Sequence, residues 1–161
     1  MNILIVNDDG YRGPGLHALI NVLKPYHTLT VAVPAREKSG TSSSVTFLTP
    51  LQAEKMYLPQ VDHNIWVIDG TPADCTVLAL DQLVESRPDI IVSGINNGAN
   101  VADSIIYSGT IAAALQGAFQ GLPTFALSTD FNCRDFNVSA EIFKEIMPQI
   151  IKKEGDNSFL Y

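Results

Sequence analysis

Cysteine is scarce in this chain. Only two occur in 161 residues, Cys75 and Cys133, too few for a disulfide framework and too far apart for a zinc-ligand spacing. Both are expected as reduced, buried, small apolar residues of a cytoplasmic protein. Histidine offers no metal pair either, because His17, His27 and His63 are scattered and read as ordinary surface or core residues. Positive charge is short as well: ten Lys and Arg stand against 17 Asp and Glu, a net charge of -7. That excludes the basic face a nucleic-acid duplex requires. It does not exclude a small phosphorylated substrate, since a metal ion can reverse the local field. No apolar run is long enough to cross a bilayer, and the N-terminus shows no basic region followed by an apolar leader segment. What remains, 46% apolar and 17% charged residues, has the composition of a globular protein, expected as a single α/β domain over 1–161.

The run Ile3-Leu4-Ile5-Val6 is continuously apolar without a helical period, which predicts a strand buried on both faces. It stops at Asn7-Asp8-Asp9-Gly10. Gly10 suits a tight turn. In an open α/β sheet, ligands bind beyond the carboxyl ends of the strands, where Asp8 and Asp9 would sit. Two adjacent carboxylates repel, more so when half-buried, and a hard divalent cation would relieve them. A solvated Asp-Asp-Gly turn is the plain alternative.

Leu16, Leu19, Ile20 and Leu23 recur at helical spacing, with Pro14 suited to the first turn and Pro25 as a stop. Thr28 to Val33 predicts a second strand, making a strand–helix–strand unit with parallel strands. The polar loop Arg36-Glu37-Lys38-Ser39-Gly40 and its serine-rich continuation then leave the carboxyl end of that strand. Val45–Leu48 and Ile65–Ile68 are short strand-prone runs, and residues 52–64 read as an irregular excursion. Thr71, Pro72 and Asp74 form a helix start that structural capping explains, followed by a buried stripe of Val77, Leu78, Leu80 and Leu83. Ile90 to Ser93 is the next buried strand. It opens into Gly94-Ile95-Asn96-Asn97-Gly98, rich in glycine and in amide donors and acceptors. Ser108, Gly109 and Thr110 start a strong helix through Ile111–Leu115, a ready anion site. Thr124–Ser128 is a further strand. Ala140, Ile142, Phe143, Ile146, Ile150 and Ile151 mark a last helix that Pro148 interrupts. A turn at Gly155–Ser158 and the beginning of a strand at Phe159–Tyr161 complete the reading. The strands and helices alternate as in a doubly wound, mostly parallel, Rossmann-like three-layer α/β fold.

Three strand mouths thus carry chemistry: Asp8 and Asp9, then Ser39, then Asn96. Two carboxylates, a hydroxyl and an amide oxygen suit a hard divalent ion, Mg²⁺ or Mn²⁺. The helix start at Ser108 would hold phosphate oxygens against it. A competing motif is Gly13-Pro14-Gly15-Leu16-His17-Ala18, the G-x-G-x-x-A form of the dinucleotide fingerprint, with Glu37 in place of a ribose-binding acid. That would make the chain a dinucleotide-dependent oxidoreductase, but Asp8 and Asp9 would repel a pyrophosphate.

Five segments in order, Val-Asn-Asp-Asp-Gly, Arg-Glu-Lys-Ser-Gly, Asp-Gly-Thr-Pro-Ala-Asp-Cys, Ser-Gly-Ile-Asn-Asn-Gly-Ala-Asn and Tyr-Ser-Gly-Thr, together resemble the SurE family of survival-protein nucleotidases. The resemblance spans about 1–130. It implies a metal-dependent phosphatase acting on nucleoside monophosphates, 5′ or 3′; metal-assisted attack of water on phosphorus is the mechanism expected of such a site. The resemblance places the metal on Asp8, Asp9, Ser39 and Asn96 and the phosphate by Ser108, Gly109 and Thr110; at such a site Asp8 or Asp9 is expected to accept the proton of the water and Asn96 to contact the substrate. It also implies a homo-oligomer, dimer or tetramer, built through a C-terminal part that family members carry and that does not occur before Tyr161. A non-catalytic nucleotide-binding module is the alternative within the same resemblance.

Overall fold

In β1 (Asn2–Val6) alternate side chains leave the strand on opposite faces and all four after Asn2 are buried. In the computed structural model, which describes residues 1–133 and 135–154, Ile3 and Ile5 join one apolar cluster while Leu4 and Val6 join another. That is the period of two that a strand imposes. The elements that follow are α1 (Pro14–Leu23), β2 (Thr28–Pro34), β3 (Ala53–Leu58), β4 (His63–Ile68), α2 (Pro72–Leu78), β5 (Ile90–Asn97), α3 (Ser104–Tyr107), α4 (Gly109–Phe119), β6 (Thr124–Thr129) and α5 (Phe136–Glu154). A π-helical turn at Ala79–Leu83 extends α2.

One sheet has the order β3-β4-β2-β1-β5-β6. Every pair is parallel except β3 with β4. Leu16, Leu19, Ile20 and Leu23 of α1 share a cluster with Phe136, Ala140, Phe143 and Met147 of α5. Cys75 of α2 and Ala113 of α4 pack with Leu4 and Val6 on the other face. The result is the expected doubly wound three-layer architecture. Each fully buried Ile or Leu contributes about 1.5–3 kcal/mol. The side chains of β1 alone therefore outweigh the repulsion between the two acids at its end.

Four local expectations change. Residues 52–64 are not irregular: they form the antiparallel hairpin of β3 and β4, whose edge strand is mostly exposed. Val45–Leu48 is no strand, and Phe47 and Leu48 are 87% and 97% exposed. Of the stripe expected after α2 begins, Leu78, Leu80 and Leu83 pack half-buried against the core, but Val77 faces out, while Ala73, Cys75, Thr76 and Ala79 are buried. Finally, α5 runs straight through Pro148, and Ile142 and Ile146 are exposed where Phe143 and Met147 are buried. Pro148 lies on the exposed side, so the carbonyl it deprives of a partner is left to water, which makes the proline tolerable. The turn and strand expected after Gly155 lie outside the described residues.

Candidate active site

The sheet order turns at β1: β2 and β4 lie on one side of it, β5 and β6 on the other. Ligand crevices form at such a switch point, beyond the carboxyl ends of the strands. Asn7 builds the turn there. Its side-chain amide donates to the Gly10 carbonyl at 2.9 Å, and its side-chain oxygen accepts from the Gly10 N–H at 3.2 Å. Gly10 has φ +78°, and a Cβ there would come within 3.0 Å of the Pro34 carbonyl oxygen. The Asp-Asp-Gly segment is therefore a fixed, buried turn and not a solvated one.

Asp8 is 3% exposed. Its Oδ1 accepts from the Thr110 hydroxyl at 2.6 Å, and the Thr110 backbone N–H also bonds the carboxylate. Burial pushes its pKa above the usual carboxylate range; the Thr110 bonds oppose that without cancelling it. Asp9 is half-buried, and its Oδ2 is buried with no hydrogen-bond partner. Burial, and then the charge of Asp8, push the Asp9 pKa up to about 6, against a backbone bond from Asn97. A desolvated carboxylate oxygen without a donor is costly to leave alone. It is the feature a cation would satisfy.

Asn96 reaches the same crevice because β5 breaks register with β6 between Ser93 and Asn96. The break centres on Gly94, at φ +125°, where a Cβ would meet the Leu127 carbonyl oxygen at 2.3 Å. The Asn96 side-chain N–H donates to the Gly98 carbonyl at 2.8 Å, which leaves the side-chain oxygen for a ligand. Ser39 is exposed on the loop after β2, and its hydroxyl donates to Glu37 at 2.9 Å. Asp8, Asp9, Ser39, Asn96 and Ser108 line one cleft of about 580 Å³. Glu37 lines it too and raises the pKa of both aspartates through its charge. Among the described residues no three of His, Cys, Asp and Glu form a metal cluster. Two carboxylates with a hydroxyl and an amide oxygen are instead a low-charge, all-oxygen set, whose chemistry fits Mg²⁺ or Mn²⁺ better than zinc.

Ser108 caps α4: its hydroxyl oxygen accepts from the Ile111 N–H at 3.2 Å. Gly109 and Thr110 sit behind Asp8. A Cβ on Gly109 would fall 2.9 Å from the Asp8 Cβ and 3.0 Å from Pro72, and Thr110 is fully buried. The start of α4 thus holds one anion already, the Asp8 carboxylate. Of the three small residues at this helix start, Ser108 is the one that reaches the cleft.

The glycines of the dinucleotide motif do other work. A Cβ on Gly13 would meet the Asp9 Cβ at 2.9 Å, and one on Gly15 would meet the Ile95 carbonyl oxygen at 2.0 Å. They let α1 approach Asp9 and β5 closely, where a pyrophosphate would face a carboxylate. Sequence reasoning did not find the roles of Asn7 and Thr110 as partners of this turn. Thr110 stands 102 positions from Asp8, and no local pattern signals such a pair.

The family model described as "Survival protein SurE" matches residues 3–161. A 5′-nucleotidase SurE of Methylococcus capsulatus is 44% identical over 93% of this chain and 58% of its own length. One of Rhodopirellula baltica is 40% identical over the whole chain and 64% of its own length. The crystal structure of the SurE protein from Aquifex aeolicus superposes with a TM-score of 0.82 at 37% identity, covering 96% of this chain and 61% of that one. The chain thus spans about three fifths of the length of these relatives.

Proposed function

The chain belongs to the SurE family, and on that premise we propose that it is a divalent-metal-dependent phosphatase that hydrolyses nucleoside monophosphates as a 5′-nucleotidase. The observation that carries the metal dependence is the pair Asp8 and Asp9, with the Asp9 Oδ2 buried and unpartnered. Asp8, Asp9, Ser39 and Asn96 would hold Mg²⁺ or Mn²⁺. When bound, the ion supplies positive charge that polarises the phosphoryl group and offsets charge developing on it.

The chain's own groups do the rest. Thr110 fixes Asp8 in one orientation through its hydroxyl. Asp8 or Asp9 would take the proton of the attacking water. The positive end of α4, where Ser108 meets the cleft, favours the substrate phosphate. Two further parts of this reading rest on features away from the acidic pair. A cytoplasmic location is supported by Cys75 and Cys133 both being free thiols. A homo-oligomer is supported by the exposed apolar side chains of Tyr107 and Phe131, which line the cleft, and of Val101 and Ile106.

The test is release of inorganic phosphate from a nucleoside 5′-monophosphate. After exhaustive chelation the rate should fall to background, and Mn²⁺ or Mg²⁺ should restore it. Turnover that survives chelation would overturn the metal-dependent reading.

A further inference from the structure

The loop 36–48 brings Ser39 to the cleft, and the bonds inside it are short-range: the Thr41 hydroxyl donates to the Lys38 carbonyl at 2.8 Å and the Ser44 N–H to the Thr41 carbonyl at 3.3 Å. Phe47 and Leu48 point into solvent, and Gly40 has nothing within 4 Å of where a Cβ would be. Hydrogen bonds to three neighbours tie the loop to the rest of the fold. At its root, the Lys38 N–H donates to the Asp8 carbonyl at 2.8 Å. In its middle, the Ser42 N–H donates to the Tyr107 carbonyl at 3.0 Å and the Ser42 hydroxyl to the Ile106 carbonyl at 2.8 Å. At its far end it meets the start of α2. There the Thr46 N–H donates to Asp74 Oδ1 at 2.9 Å and the Thr46 hydroxyl to Asp74 Oδ2 at 2.7 Å. The Thr71 hydroxyl donates to the Ser44 carbonyl at 2.7 Å.

Asp74 serves both sides of that junction. It is the third residue of α2 and completes a capping box, accepting from the Thr71 N–H at 2.9 Å while its own N–H donates to the Thr71 hydroxyl oxygen at 3.1 Å. A capping box needs only the Thr71 contacts; the two bonds to Thr46 are additional and non-local. Asp74 is 4% exposed. Burial would raise its pKa, but the bonds from Thr71 and Thr46 win and hold it below the usual range. Charge-assisted bonds of this kind are roughly twice as strong as neutral ones. Pro72 of the same helix start packs against Gly109, which packs against Asp8. The latch and the acidic pair therefore share one rigid support.

We propose that Asp74 is a positioning residue for the metal site: by binding Thr46 it latches the loop 36–48 to α2 and holds Ser39 beside Asp8 and Asp9. The inference rests on the metal-dependent phosphatase reading above. Residues that orient metal ligands typically change metal affinity or activity about 10–100-fold when removed.

The test compares Asp74→Asn, Thr46→Val and Thr46→Ser with the parent. It reads Mn²⁺ affinity by calorimetry, kcat and KM for phosphate release, and proteolytic cleavage within 39–48. Thr46→Val leaves the capping box intact and loosens only the loop, so it separates the latch from helix stability. Asp74→Asn and Thr46→Val should each weaken Mn²⁺ binding about 10-fold, lower kcat, and expose the loop to protease. Thr46→Ser should retain parent affinity. If folded Asp74→Asn and Thr46→Val bind Mn²⁺ as the parent does, the latch is only structural and the inference is wrong. If the parent itself shows no Mn²⁺-dependent turnover, the phosphatase reading fails first, and Asp74 loses its role in the reaction with it.

Discussion

Replacing Asp9 by Asn should stabilise the metal-free protein and destabilise it relative to the parent once metal is present. The first half follows from the carboxylate's environment. The Asp9 pKa rises from the ordinary 3.8 to about 6, through burial and then through the charge of Asp8. A rise of that size corresponds to about 3 kcal/mol in a dry site. Asp9 is only half-buried, so solvent screening reduces it to roughly 1 kcal/mol. Between about pH 4 and 6 the folded chain holds a proton here that the unfolded chain has released. Folded protein then binds more protons than unfolded, so stability falls as pH rises through that window, and the penalty is complete above it. Asn cannot ionise and still offers an oxygen to the Asn97 N–H. Urea unfolding in EDTA should therefore show the variant equal to the parent near pH 4 and about 1 kcal/mol more stable at pH 7.5. In thermal unfolding that is a gain of about 2–4 °C. Saturating Mn²⁺ at 100 times its dissociation constant should then stabilise the parent by about 2.7 kcal/mol and the variant far less, which reverses the order. A variant less stable than the parent in EDTA at pH 7.5 would refute the account of the acidic pair. So would equal stabilisation of both by Mn²⁺.

Two other substitutions probe the supports of the site. Thr110→Val keeps the shape but removes the 2.6 Å bond to Asp8; it should cost about 1–3 kcal/mol in urea unfolding, as a buried acceptor loses its donor, and weaken Mn²⁺ binding measured by calorimetry. Gly15→Ala drives a Cβ to 2.0 Å from the Ile95 carbonyl oxygen, so α1 and β5 must part. It should lower stability by about 1–3 kcal/mol and, with Asn96 next to Ile95, reduce metal affinity as well.

The strands and helices that could be read from the chain are those whose signals are local. Buried runs such as Ile3–Val6 and Ile90–Val92 name their own state, and α1 ends at Leu23, just before the Pro25 read as its stop. β3 was not legible because an exposed edge strand is defined by its pairing with β4, which sequence pattern does not display. Val45–Leu48 misled for the converse reason: strand-prone residues form no strand when hydrogen bonds to α2 and α3 fix their loop first. The same limit holds at the site. Asp8, Asp9 and Asn96 were visible as polar residues at strand ends, and they share one cleft with Ser39 and Ser108. The long-range bonds that set their geometry, Thr110 to Asp8 and Thr46 to Asp74, join residues no short motif connects. Gly109 and Thr110 read as phosphate contacts from their place at a helix start. The fold turns them toward Asp8, because α4 begins directly behind that carboxylate.

The central claim is that one divalent cation sits among Asp8, Asp9, Ser39 and Asn96. Anomalous diffraction from a crystal of this protein soaked in Mn²⁺ tests it most directly. A single strong manganese peak within coordination distance of both Asp8 and Asp9, with the Asn96 side-chain oxygen and the Ser39 hydroxyl turned toward it, is the predicted result. Manganese bound elsewhere, or no peak at the acidic pair at saturating metal, would contradict it.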